Sequence, residues 1–517
     1  MFFINVKPSD LLDRITAEPY APEYVNCAKV LGKSSLSIKK LGCIVSKKIN
    51  NSIRGVTGQL DIPGATIPMF RPADIADGVA NIETAPKLTS EFEEPHEKSR
   101  VYPGDIVLGI AGSVGTLGRV QRGIRFGNIN GSSARLAFDS DELSGYILAF
   151  LSSKYGQSNL LRFGVGSVQK HLNLEDLPKV EVALTDISAQ KYIGDKVRQS
   201  EQLRTWAKRS EKWALELFNK QVDWSFEVLK VGKINKVLVS ELNGRLDLKY
   251  NSPARLALLR HIKNKQITTT ELVRLVDISA MIGWKGLTTD YYTNFGPWLL
   301  RGVEFRDGVI EFEKLVSVDR DKYLEQPQIH LKEGDIAFSK DGTIGKAIVI
   351  PELANDMAAG STIARLRLKK VNEINPYYLE LVLNHDFVQV QVESFATGIA
   401  QPHITQEWIA QLIIPRVKYE QVIGEYLSIH HLANNNSKIL IQAAKTLVES
   451  LIEGQLTERQ LIEAQQALED GDNSLDQAIL SKLSAKGYAI EGATPLFSDV
   501  DELYSLLEEA AQAEAEE

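Results

Sequence analysis

The sequence predicts a duplicated α/β (α+β) protein. Two mixed domains each lead into a long helix, and the two helices pair as an antiparallel coiled coil with pseudo-two-fold symmetry. Three observations predict this. The chain matches itself at an offset near 230, each copy passes from strand-like to helical patterning, and each helical stretch carries a seam at alternating spacings of four and three. A length of 517 residues, with 44% hydrophobic and 24% charged residues, fits two or more globular domains and argues against wholesale disorder.

The repeat comes first because the other elements hang on it. At an offset of 230, Asp77-Gly78-Val79 falls on Asp307-Gly308-Val309, and Gly104-Asp105-Ile106 on Gly334-Asp335-Ile336. The same shift carries Gly112-Ser113-Val114-Gly115 onto Gly342-Thr343-Ile344-Gly345, Ala134-Arg135-Leu136 onto Ala364-Arg365-Leu366, and Arg71 onto Arg301. At 231, Arg54-Gly55-Val56-Thr57 meets Lys285-Gly286-Leu287-Thr288; at 232, Phe163, Gly166, Gln169 and His171 meet Phe395, Gly398, Gln401 and His403. The order is kept throughout, which chance does not explain.

Within each copy, short apolar runs such as Ile106-Val107-Leu108 and Ala347-Ile348-Val349-Ile350 adjoin glycine turns and read as strands. The first helical seam runs Tyr192, Lys196, Gln199, Leu203, Trp206, Ser210, Trp213, Leu217. The second runs Ile423, Tyr426, His430, Ala433, Ser437, Leu440, Ala444, Leu447, Leu451. Polar members near Lys196, Gln199 and His430 weaken the start of each seam, and Trp206 and Trp213 read as packing residues. A helix of about 36 residues extends about 54 Å. The expected boundaries are 1–185 for the first domain, 186–235 for a central helical spacer, and 236–417 for the second domain. A second helical spacer over 418–469 and an acidic extension over 470–517 complete the chain.

Composition narrows the function classes. Cys27 and Cys43 are too few for a disulfide framework and lack zinc-site spacing, so two reduced, buried thiols are expected. The start has no basic and apolar leader pattern, and about 18 apolar residues nowhere run together. A cytoplasmic protein without membrane contact is expected. From Gly471 onward eleven acids face two lysines, a net of −9, which leaves the preceding residues at +1. That near-neutral body does not announce nucleic acid, so any phosphate neutralisation must come from local basic loops or a partner protein. The acidic end is expected to be largely solvated and partly disordered.

The ordered motifs resemble type I restriction–modification specificity subunits. The resemblance is carried by Gly334-Asp335-Ile336, by Ser339 to Lys346, by Gly398-Ile399-Ala400-Gln401-Pro402-His403-Ile404, by Leu412-Ile413-Ile414-Pro415 and by Arg245-Leu246-Asp247. It covers about residues 10 to 465 and departs from the pattern in the first copy, where Pro72 stands for Gly302 and Lys170 for Pro402. It implies two target recognition domains that read a split sequence in double-stranded DNA. It further implies two methyltransferase subunits as partners, holding S-adenosylmethionine, and restriction translocase subunits in the same complex; this chain would be non-catalytic and hold no cofactor or metal.

The candidate DNA contacts follow from chemistry and from that resemblance together. Arg54 with Thr57, and Lys285 with Thr288, pair a cation with a hydroxyl in glycine-containing loops, suited to a phosphate or a guanine edge. Arg71 and Arg301 offer planar forks, Gln169, His171, Gln401 and His403 offer base-edge hydrogen bonds, and Lys340 and Lys346 flank a glycine turn near phosphate reach. Tyr291 and Tyr292 could equally stack on bases or pack in a core. The glycine turns are not nucleotide cradles, because two residues separate the glycines and Ala347 follows Lys346. Asn375-Pro376-Tyr377-Tyr378 lacks the second proline of an amino-methyltransferase motif, and Pro376 reads instead as the first residue of a helix. Rival readings are a self-contained methyltransferase or nuclease with fused recognition domains, the specificity subunit of another methylation-based defence system, and a scaffold or DNA mimic.

Overall fold

The computed structural model describes residues 16–50, 53, 55–56, 58–166, 170–224, 237–239, 242, 246–281, 289–306, 308–398 and 401–515. They form two compact units, one of residues 1–205 with 434–517 and one of residues 206–433, and each is taken by itself. The chain mixes helix and strand throughout, and no described helix is long and apolar enough to cross a membrane.

In the first unit, β1 (Ile67–Phe70) lies in a three-stranded sheet. A five-stranded sheet follows the order Ile75–Ala76, Val79–Ala80, β3 (Leu117–Val120), β2 (Ile106–Gly109), β4 (Ser133–Leu136). Every residue of β2 is buried, as its unbroken apolar run requires, and Val107 stands opposite both Gly118 and Arg135. Helices α1 (Asp141–Ser152) and α2 (Lys154–Leu161) start at Ser140 and Ser153, whose side chains accept from Leu143 and Gly156 N–H groups. The Tyr146 hydroxyl donates to the Ala183 carbonyl at 2.5 Å and the Asn159 amide to Glu181 at 3.0 Å, which seats both helices on β5 (Glu181–Leu184).

The long helix α3 (Ile187–Val222) follows. Its buried face includes Tyr192, Lys196, Leu203, Trp206 and Ser210 as expected, then moves one residue on, to Ala214 and Phe218 in place of Trp213 and Leu217. A straight helix turns every 3.6 residues and drifts off a strict seven-residue repeat by about 20° per heptad. Trp213 thereby becomes a half-buried flank, packed edge-on to Trp206 at 5.4 Å and to Tyr426 at 5.6 Å.

In the second unit, β6 (Tyr292–Leu300), β7 (Val316–Val318) and β10 (Met357–Ala359) share a sheet ordered β7, β6, β10, His330–Leu331. A second sheet follows the order Val276–Ala280, β11 (Ile363–Leu368), β8 (Ile336–Ser339), β9 (Ala347–Val349). Helix α4 (Pro376–Asn384) opens on Pro376 with Asn375 as its cap, as the sequence suggests, and α5 (Asp386–Phe395) follows. The Tyr378 hydroxyl reaches the Pro415 carbonyl at 2.7 Å and the Gln391 amide reaches Ile413 at 3.0 Å, both on β12 (Ile413–Pro415).

Helix α6 (Glu420–Ile452) buries Ile423, His430, Ala433, Ser437, Leu440, Ala444, Leu447 and Leu451, with Tyr426 half-buried. In the second unit His430 Nδ1 faces the Ala207 carbonyl, Trp213 meets Tyr426, and Lys418 N–H donates to Gln221. The partner number falls as the number along α3 rises, so these helix segments run antiparallel. In the first unit Ser200 Oγ donates to the Ser437 carbonyl at 2.7 Å.

Two expectations need correction. Cys27 is half-buried and Cys43 is exposed, not buried thiols, because each sits on a surface segment whose apolar neighbours, Leu31 and Leu41, take the interior positions. The acidic end is folded, not a solvated tail. Beyond α7 (Glu458–Glu469) it forms α8 (Ser474–Leu480), a small hairpin and α9 (Val500–Ala515), whose Leu503, Leu506 and Ala510 are buried. Among the described acids of this end Asp476 alone is fully buried, and Lys196 at 2.6 Å and the hydroxyls of Tyr192 and Tyr504 satisfy it. Apolar spacing of helical period outweighs net charge here.

The glycine turns are fixtures of the fold. Gly345 has a φ of +88°, and the Gln389 amide from α5 donates to its carbonyl at 2.8 Å and also bonds the Leu383 carbonyl. Gln157 of α2 does the same to Gly115 and Leu151, at 3.0 and 2.8 Å. A Cβ on Gly345 would lie 2.6 Å from Gln389 Oε1, whereas one on Gly342 meets nothing within 4 Å. Gly342→Ala should cost about 1–2 kcal/mol through its left-handed backbone alone. Gly345→Ala should cost roughly 1–3 kcal/mol more, by displacing a doubly bonded amide. Urea unfolding of both variants checks this, and equal losses would remove the pin.

Candidate nucleic-acid interface

The site is assembled from two loops of the second unit. Strand β8 ends at Ser339, the glycine turn carries Lys340 to Gly345, and β9 returns. Ser339 closes the turn, bonded through its backbone to Lys346 and Gly345 and through its hydroxyl to Lys346 N–H at 2.9 Å. The loop from Thr397 to His403 lies alongside, because Asp341 and Thr397 both bridge to His403, Gly342 N–H donates to Pro402 at 3.0 Å, and Ile404 N–H donates to Lys340 at 2.9 Å. The fold thus brings Lys340, Lys346, Gln401 and His403 to one edge from positions about 60 residues apart.

Their electrostatics are specific. Asp341 accepts from the Lys340 ammonium and contacts His403 Nδ1, so one carboxylate joins both loops. Lys340 is largely covered, Gln401 is exposed and His403 is partly exposed. Lys346 has no ion pair among the described residues. In the first unit the corresponding edge is plainer. His171 is exposed and bridges Ala111 and Val165, with no carboxylate where the second unit has Asp341.

Arg71 and Arg301 are placed as clamps. Arg71 Nε and a terminal nitrogen each lie 2.9 Å from Asp74, whose side chain is almost fully buried. Arg301 grips the buried Glu304 in the same way and lies 5.9 Å over the Tyr292 ring. Each arginine side chain remains about one-third exposed. The acid three residues after each arginine was the sequence signal for this pairing, and the sequence reading passed over it. Arg54, Thr57, Gln169, Lys285 and Thr288 lie outside the described residues.

Residues 288–444 match the family described as the type I restriction modification DNA specificity domain. Residues 288–444 thus resemble a type I DNA specificity domain. The chain is 32% identical over 147 residues to the type I restriction enzyme EcoBI specificity subunit of Escherichia coli, an alignment covering 28% of this chain and 30% of that protein. The match therefore spans under a third of that relative's length. Among solved structures, the type I restriction–modification S subunit of M. genitalium aligns over 82% of this chain and 97% of its own, at 10% identity and a TM-score of 0.40. The HsdS subunit of Thermoanaerobacter tengcongensis aligns over 81% and 97%, at 13% identity and a TM-score of 0.26.

The second unit also contains a cleft of about 400 Å³ that sequence reasoning missed, lined by Glu211, Lys346, Glu380, Asn384, His430 and His431 among others. Glu380, buried on α4, accepts from Val349 N–H at 2.7 Å and contacts His431 Nε2 at 2.8 Å. No group of three or more metal-ligand side chains is suitably placed among the described residues. Burial disfavours the His431 charge, but the Glu380 carboxylate outweighs it, so its pKa lies above the ordinary 6.5. Burial lowers that of His430, against the pull of Glu211.

The His431 pair contributes stability that is full below about pH 6.5 and is lost as pH rises through the higher folded pKa. Glu380→Gln keeps an acceptor for Val349 and removes the charge. The variant should be less stable by on the order of 2 kcal/mol at acid pH, with the gap narrowing in alkali. Urea midpoints across that pH range test it, and a gap that widens with pH would refute the assignment.

Proposed function

We propose that this chain is the DNA sequence-specificity subunit of a type I restriction–modification complex. It reads a bipartite target in double-stranded DNA and positions methyltransferase subunits, and restriction translocase subunits, upon it in the cytoplasm. The observation that carries the reading is the match of residues 288–444 to a DNA specificity domain, together with the same ordered motifs in the first half. The chain itself is a non-catalytic reader. S-adenosylmethionine belongs to the methyltransferase partner, which takes the target base into its own pocket.

Duplication underlies the two-part target. It is supported by hydrogen bonds that recur at the repeat's own offsets. Tyr146 to Ala183 answers Tyr378 to Pro415, Asn159 to Glu181 answers Gln391 to Ile413, and Gln157 to Gly115 answers Gln389 to Gly345. Arg71 with Asp74 answers Arg301 with Glu304. Two related readers joined by an antiparallel coiled coil of α3 and α6 suit half-sites separated by a spacer, since successive half-sites on one face of a duplex lie about one helical turn apart.

Division of labour is tested by exchanging residues 1–185 for the matching domain of another such subunit and mapping methylation by the co-purified complex. One half-site should change and the other persist. Changes in both halves, or no methylation target with the native chain, would overturn the proposal. In the same complex Lys346→Ala should weaken DNA binding evenly across sequences and lower the salt slope by about 1, as loss of one phosphate contact does. An unchanged slope would place Lys346 off the DNA.

A further inference from the structure

Strand β6 contains an excursion that the motifs do not account for. Thr293 and Trp298 both pair with Ser317 on β7, so Asn294, Phe295, Gly296 and Pro297 loop out with nothing opposite them. The excursion is built firmly. Thr293 Oγ1 donates to the Phe295 carbonyl at 2.8 Å, Asn355 Nδ2 donates to the Gly296 carbonyl at 2.7 Å, and Pro297 is buried. Gly296 has a φ of +145°, and a Cβ there would sit 2.3 Å from the Val318 carbonyl oxygen. The result is one aromatic side chain that is 90% exposed.

Scattered exposed apolar side chains are ordinary and need no account. This one differs because a glycine, a proline and two side-chain hydrogen bonds hold the backbone that displays it. Its immediate neighbours Thr293 and Asn294 are exposed and polar, and Tyr291 is the nearest exposed apolar side chain along the chain, so no run of apolar residues of the kind a protein partner would bury continues from it. Duplex DNA takes single apolar groups readily, against a thymine methyl or as a wedge at a base step. The residue lies inside the segment that matches the DNA specificity domain, seven positions after Thr288.

We infer that Phe295 is a base-contacting residue of the half-site read by the second unit, acting through an apolar contact. The inference rests on the DNA reading proposed above. At the repeat's offset of 230 the first copy has Ala65, so only one half-site is read in this way.

The test uses the full chain with its co-purified methyltransferase subunits and selection from a random duplex library. The native complex should enrich a bipartite motif; failure to enrich any motif overturns the underlying reading and this inference with it. Given the motif, Phe295→Ala and Phe295→Gln should each lose about tenfold or more in affinity for the selected site, the scale of one aromatic–base contact. Binding to unrelated DNA, the salt slope and the melting temperature should not move, since the side chain touches neither phosphate nor core. Replacing the motif's thymines by uracil separates the two supporting outcomes: a matching loss marks a methyl contact, and no loss marks insertion at a base step. Native affinity and an unaltered motif in both variants would overturn the inference.

Discussion

The constraint on which the second unit depends is the seating of its glycine turn on the helix behind it. Gln389 holds Gly345 through one hydrogen bond while the same amide ties to the end of α4. That fixes the path from β8 to β9, and so fixes where Lys340 and Asp341 stand. Asp341 then sets His403, and with it the neighbouring loop. Two loops that are distant in sequence become one edge because a half-buried, neutral staple lies beneath them. Gln157 and Gly115 repeat the staple in the first unit. There the edge above it lacks the carboxylate, so the scaffold is shared and the surface is not.

That separation explains what could be read from the sequence. The strands around Ile106 and Ile336, the helix start at Pro376 and the buried faces of α3 and α6 all arise from local pattern: an apolar run, a capping residue, a period near 3.6. The seam of α3 slipped by one residue where the pattern was held too rigidly, at Gln199, Trp213 and Leu217, beside which Ser200, Ala214 and Phe218 are the buried residues. What escaped depends on partners far along the chain. Lys196 looked like a polar interruption until Asp476 was found beside it, 280 residues away, and nothing local to either residue announces the pair. The folded acidic end escaped for a related reason. Its charge was summed over the segment, whereas folding depends on how Leu503, Leu506 and Ala510 are spaced.

For the site itself, residue type was visible and commitment was not. Arg71 and Arg301 look like free readers in sequence, yet each already makes a two-pronged bond to a buried acid. A buried carboxylate cannot be left alone without large cost, so these guanidiniums cannot leave for a DNA base. What they can offer is their remaining edge, held still. A fixed fork loses less conformational entropy on binding than a free one.

The same logic bears on the charge of the chain. With a body near +1 and many of its cations already engaged, including Lys340 with Asp341 and Arg367 with Asp335, little positive charge is left to neutralise phosphates. Affinity for DNA scales with the number of phosphates neutralised, whereas discrimination comes from base contacts and shape. A reader poor in uncommitted cations therefore binds duplex weakly by itself and gains its hold from partners that bring charge. On the proposed function, firm engagement of DNA is then expected only when the methyltransferase subunits travel with this one.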